Sequence, residues 1–118
     1  MRRSAVLQAV AERYPQLFAF VNWAYAPAAE LWVHGGPNGH ERLWSTTGVR
    51  QGDPMGPLLF ALGLQGPLEK LDSEFSEVWV LAYLDHVCLQ GPAADVERAC
   101  RRFSQLCKSI GLDMATEK

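Results

Sequence analysis

Proline and glycine cut this chain into short pieces, at Pro15, Pro27, Gly35-Gly36-Pro37-Asn38-Gly39, Gly66-Pro67 and Gly111. Proline cannot continue a helix and glycine favours turns, so each piece must be a short helix, strand or loop. The apolar spacing between the cuts says which. Residues 3–14 place Val6, Leu7, Val10 and Tyr14 at three- and four-residue steps, one helical face ended by Pro15. Residues 16–25 repeat the period with Leu17, Phe18, Val21 and Tyr25 inward, and Pro27 stops them. Residues 30–34 and 41–46 are short runs containing Leu, Trp and Val on either side of the glycine-rich turn, the pattern of a hairpin.

The second half follows the same logic. Residues 48–71 begin as a glycine-bearing loop and turn helical, with Asp53 as the cap, Pro54 at the first helical position and an apolar stripe of Met55, Leu58, Leu59 and Leu62. Gly63 and the Gly66-Pro67 pair are expected to weaken or kink that helix. Residues 78–89 hold two β-prone runs split by Asp85-His86, a tight hairpin with a polar tip. Residues 95–110 carry Val96, Ala99, Cys100, Phe103, Leu106, Cys107 and Ile110 on one stripe, and Gly111 stops the helix. The fold class expected is α+β, one domain over residues 1–118, with helices on one face of a small antiparallel sheet.

Size and charge limit the functions open to such a chain. At 118 residues it matches one small domain, able to bury about 65% of its unfolded surface, and it rules out a complete polymerase, kinase or barrel. Eleven Lys plus Arg against 13 Asp plus Glu leave a net charge of −2, so nucleic acid would have to be held locally. The longest apolar runs fall well short of the roughly 20 residues that cross a bilayer, and Gln8, Glu12 and Arg13 interrupt any signal-peptide core, so an intracellular, non-membrane setting is expected. Cys88, Cys100 and Cys107 have no CxxC spacing. Cys100 and Cys107 lie two helical turns apart, about 10.5 Å by rise and beyond disulfide reach, and both are expected in the core.

Two segments carry more than structure. Residues 47–60, with Arg50-Gln51-Gly52-Asp53-Pro54 and the continuation Pro57-Leu58-Leu59-Phe60, resemble the Gln-Gly-Asp-Pro loop and helix of reverse transcriptases from non-LTR retroelements and group II introns. Tyr83-Leu84-Asp85-His86 resembles the Tyr-X-Asp-Asp hairpin of that family, with His86 where its second aspartate stands. The order of helices, hairpins and loops, through Gly111-Leu112 and a terminal Lys118, is similar to a reverse-transcriptase palm along effectively the whole chain.

The resemblance implies two-metal nucleotidyl transfer: RNA-templated DNA synthesis on a DNA primer, with magnesium held by carboxylate oxygens. It assigns Asp85 to the metal and the chemistry, Lys118 to proton donation or phosphate neutralisation, Gln51 and Gly52 to the nucleotide and template, and Tyr83 to the primer end or sugar; Arg50, beside that loop, is a candidate phosphate partner. The family's first metal-binding aspartate lies on a strand preceding residues 3–14, and no carboxylate here takes its place. Imidazole is a poor magnesium ligand, so His86 does not restore the set. The isolated chain is therefore expected not to polymerise.

Each residue also has a plainer reading. Asp85-His86 suits a solvated hairpin tip, Gln51-Gly52 a strand-to-helix turn with Asp53 capping, Arg50 a solvated side chain, and Tyr83 strand packing. Arg98, Arg101 and Arg102 are offset by Asp95 and Glu97 and fit a solvated helix face. The functions left open are a reverse-transcriptase-like palm segment, a non-catalytic RNA- or protein-binding module derived from one, and a relic without a role. A sheet edge and apolar helix faces left uncovered point to self-association or a larger protein partner.

Overall fold

A computed structural model describes residues 1–35 and 39–114. Lys118 lies outside the described residues. The elements run α1 (Arg3–Arg13), α2 (Pro15–Tyr25), β1 (Ala29–His34), β2 (His40–Ser45), α3 (Gly56–Glu74), β3 (Trp79–Tyr83), β4 (His86–Gln90) and α4 (Ala93–Ser109). This is the expected α+β class. The strands, however, form two separate antiparallel pairs, β1 with β2 and β3 with β4, and not one sheet.

The core has two centres joined by α3. Val6 and Val10 of α1, Val21 and Tyr25 of α2, and Leu59 and Leu62 of α3 make one. Leu64 and Leu71 of α3, Val78, and Ala99, Phe103, Leu106 and Cys107 of α4 make the other, with Val80, Val87 and Leu89 of the second hairpin packed on it. Met1 touches both. The first three residues act as a clasp. Met1 O accepts the Gly48 N–H at 2.9 Å, and the Arg2 N–H donates to Ile110 O at 2.7 Å.

Several expectations change on contact with the fold. Tyr14, Phe18 and Leu58 are exposed, because α2 and the start of α3 leave those flanks without a neighbour. Asp53 does cap, its Oδ1 accepting the Met55 N–H at 2.8 Å, but it closes a turn ahead of the helix. Helix α3 starts only at Gly56, so Pro57, and not Pro54, occupies its first turn. Gly63 and Pro67 do not interrupt α3. A Cβ at Gly63 would meet Met1 Sδ at 2.4 Å, a contact that the flexible Met1 side chain can relieve by moving.

At α4 the two cysteines part company: Cys107 is buried and Cys100 exposed. The reason lies in the helix end. Gly111, at φ +74°, lets the chain turn back so that the Leu112 N–H reaches Cys107 O at 2.9 Å and the Gly111 N–H reaches Lys108 O at 3.0 Å. Leu112 then packs in the same cluster as Cys107. On the polar side Arg98 pairs with Asp95, Arg101 with Glu97, and Arg102 makes two 2.7 Å hydrogen bonds to Glu74. Among the described residues no helix is long and apolar enough to cross a membrane.

Candidate functional site

The loop between β2 and α3 is held from behind by a tyrosine between two arginines. Arg3 sits on the buried stripe of α1, three residues before Val6, and is itself buried. Its guanidinium donates to Pro27 O at 3.1 Å, Gly48 O at 3.3 Å and Ser45 Oγ at 2.8 Å, joining the end of α2 to the root of the first hairpin. The Arg3 and Arg50 guanidinium carbons lie 5.8 and 5.1 Å from the Tyr25 ring centre. Burial lowers the Arg3 pKa, and repulsion from Arg50 adds to it.

Tyr25 passes this order on to the loop. Its hydroxyl donates to Asp53 Oδ2 and accepts the Arg50 N–H at 3.3 Å. Burial, and then the bond to Asp53, push the phenol pKa up, while the same bond, followed by that from Met55 N–H, holds the Asp53 carboxyl below its usual range. Arg50 Nη2 donates to Ala24 O at 2.7 Å, and its Nε is buried without a hydrogen-bond partner among the described residues. The Arg50 side chain thus faces inward, to α2. Gly52 has φ +84° with no atom near an added Cβ, so backbone conformation and not crowding calls for glycine.

Opposite this loop stands the turn of the second hairpin. Tyr83 pairs with His86, so the two-residue loop is Leu84-Asp85, one position earlier than the expected Asp85-His86 tip. Leu84 takes φ +52°, a left-handed conformation that such loops usually reserve for glycine or asparagine. The pairing makes His86 the first strand residue, with its Nε2 3.9 Å from Asp85 Oδ1.

Between the two lies a cleft of about 660 Å³. Residues 49–54, Gly56, Pro57, Phe60, Leu84 and Asp85 line it. It brings together Arg50, Gln51 and Gly52 on one wall and Asp85 on the other, 33 or more positions away in sequence. Tyr83 is not part of the lining: it is exposed on the outer face of the hairpin with Trp79 and Leu81. The prolines, Phe60 and Leu84 give an apolar floor, and Gln51 and the Asp85 carboxylate give a polar rim. Such a shape suits a flat ring with hydrogen-bonding edges.

A pair of magnesium ions is poorly served by the carboxylates of this cleft. Asp53 lines the same cleft, but its two oxygens are engaged by Met55 and Tyr25. Among the described residues Asp85 is then the one lining carboxylate with no hydrogen bond, His86 lying 3.9 Å away, and no group of three or more His, Cys, Asp or Glu side chains could hold a metal. A larger groove of about 770 Å³, between α1, α3 and α4, contains none of the sequence-predicted residues and is crossed by the Arg13–Glu69 ion pair. Arg3, Tyr25 and Leu84 were not singled out from the sequence as parts of a site. An arginine in step with Val6 and Val10 was the available signal for Arg3.

Over 68 residues, 58% of its length, the chain is 37% identical to the "Retrotransposable element SLACS 132 kDa protein" of Trypanosoma brucei gambiense. It spans 6% of that protein's length. No protein-family profile matches the chain, and no solved structure does. The match relates the chain to a retroelement protein.

Proposed function

We propose that this chain is a reverse-transcriptase-like palm segment that keeps a nucleotide-binding cleft and, as an isolated chain, does not polymerise. The observation that carries this reading is the meeting of the Gln51-Gly52 loop and the Leu84-Asp85 turn in one cleft, since the two segments resembling the family lie far apart in sequence. The similarity to a retroelement protein supports the same direction. In this reading Gln51 and the Gly52 backbone contact the nucleotide, the apolar floor takes its base, and Arg50 and Tyr25 hold the loop in position. Asp85 is what remains of the metal set.

Binding of a fluorescent deoxynucleoside triphosphate analogue tests the cleft. Gln51→Ala and Asp85→Ala are expected to change the affinity, and Trp79→Ala, on the far face of the hairpin, is not. Absence of binding, or binding indifferent to both cleft substitutions, overturns the reading. Activity is a separate question with its own expectation. One free carboxylate cannot hold two metal ions, so no primer extension is expected on an RNA template with magnesium or manganese. His86→Asp is expected not to rescue it, because two adjacent carboxylates still lack a third from another strand. Synthesis lost in Asp85→Ala would contradict this.

A further inference from the structure

The first hairpin ends on a pair of histidines. His34 and His40 are partners across β1 and β2, and both are exposed. Just beyond them the Gly35 N–H donates to Gly39 O at 3.1 Å, with the two glycines at φ +104° and +85°. Bonded and unbonded rows alternate along an antiparallel pair, so the histidines occupy an unbonded row, where facing side chains lie closest. Their imidazoles meet edge-on, with ring centres 4.6 Å apart and planes at 81°. The nearest cation is turned away from them. Arg42, one row further in, lies 3.6 Å from Glu30 and over the Trp44 ring, both in the row beyond it, and Glu41 is on the opposite face of the ribbon.

We propose that His34 and His40 form a two-histidine site for a divalent transition ion of the nickel, copper and zinc group, with water completing its coordination. Neutral imidazole is a ligand these ions prefer, whereas magnesium and calcium take oxygen. The spacing agrees. With metal–nitrogen bonds of about 2.1 Å, an ion in line with a nitrogen of each ring stands roughly 3.2 Å from each ring centre, and centres 4.6 Å apart then subtend about 90° at it. Neighbouring ligands of octahedral and square-planar ions meet at that angle, and tetrahedral zinc needs only a slight opening of the pair. Such an ion would tie β1 to β2 at the far end of a ribbon that, among the described residues, packs against no other helix or strand. A two-stranded hairpin alone is marginally stable, so the tie would order it. The site lies outside the nucleotide cleft and does not depend on it.

Calorimetric titration of the whole chain with nickel and with zinc provides the test, in a Cys88→Ser, Cys100→Ser background that removes the exposed thiols. Saturable binding is expected, and an excess of magnesium should not compete with it. His34→Ala and His40→Ala should each weaken it about ten-fold or more, since even a residue that only supports a metal ligand is worth that much. His86→Ala, which removes the third histidine of the chain, should leave it unchanged. A second measurement needs no histidine variant and so separates a lost ligand from a misfolded ribbon. Zinc should shift the imidazole proton resonances of His34 and His40 and leave those of His86 in place. The proposal is overturned if neither ion binds, if binding survives both alanine substitutions, or if the His34 and His40 resonances do not move at saturation.

Discussion

Tyr25 uses its hydroxyl to hold Asp53 and its ring to face two guanidiniums, so removing one oxygen loosens the loop without emptying the core. Tyr25→Phe should destabilise the fold by about 1.5–3 kcal/mol in urea unfolding, the usual loss for a hydrogen bond to a charged group. Asp53 adds a pH dependence. Its folded-state pKa lies below the unfolded value, so its contribution is complete above the ordinary carboxylate range and is lost as pH falls below that range through the lowered folded-state value. Glu69 and Glu74, hydrogen-bonded by Arg13 and Arg102, shift the same way at the surface, where solvent weakens the effect. Urea midpoints should therefore fall below about pH 4, and Asp53→Asn should flatten that fall. Burial also pushes the Cys107 thiol up, so Cys88 and Cys100 should react with a thiol reagent in the native state while Cys107 waits for unfolding. Sequence spacing put Cys100 and Cys107 on one helical face. Which of them is covered depends on where Leu112 returns, and that is a tertiary fact.

The elements were legible because their signals are local. Pro15, Pro27 and Gly111 end helices where proline geometry and a left-handed glycine require, and the three- and four-residue steps identify α1, α2 and α4. Starts were less legible. Asp53 satisfies a backbone N–H wherever a turn precedes a helix, so the residue type does not say which turn is the helical one. The hairpin tip slipped by one position for a similar reason: Leu84 has no chemical preference for φ +52°, and only pairing of Tyr83 with His86 imposes it. Of the site, Gln51, Gly52 and Asp85 were legible as motif residues. Their convergence on one cleft depends on how α3 carries the loop to the second hairpin. Gly91 gives the element-scale prediction. It joins β4 to α4, and a Cβ there would stand 2.5 Å from the Glu77 carbonyl oxygen. Backbone cannot yield as a side chain does, so Gly91→Ala should cost about 1–3 kcal/mol, seen as a lower urea midpoint.

The molecule as a whole is open. Its radius of gyration is 16.9 Å, against about 13.5 Å for a compact domain of this length. It exposes 8294 Å², against about 6,400 Å² for a compact monomer of 13.1 kDa. The ribbon and the outer face of the second hairpin account for many of the exposed large side chains, Trp32, Trp44, Trp79, Leu81 and Tyr83 among them. Size-exclusion chromatography with light scattering should accordingly find self-association that grows with concentration, and a clean monomer at high concentration would count against it. The clasp of residues 1–3 bears on time as well as on shape. Arg3 bonds to partners 24, 42 and 45 positions away, so these links close only after the helices and hairpins they join have formed. The two core centres share little besides α3 and this clasp, and each can therefore open while the other stays shut. Amide hydrogens of α1 and α2 should then exchange together, on a different clock from those of α4 and the second hairpin.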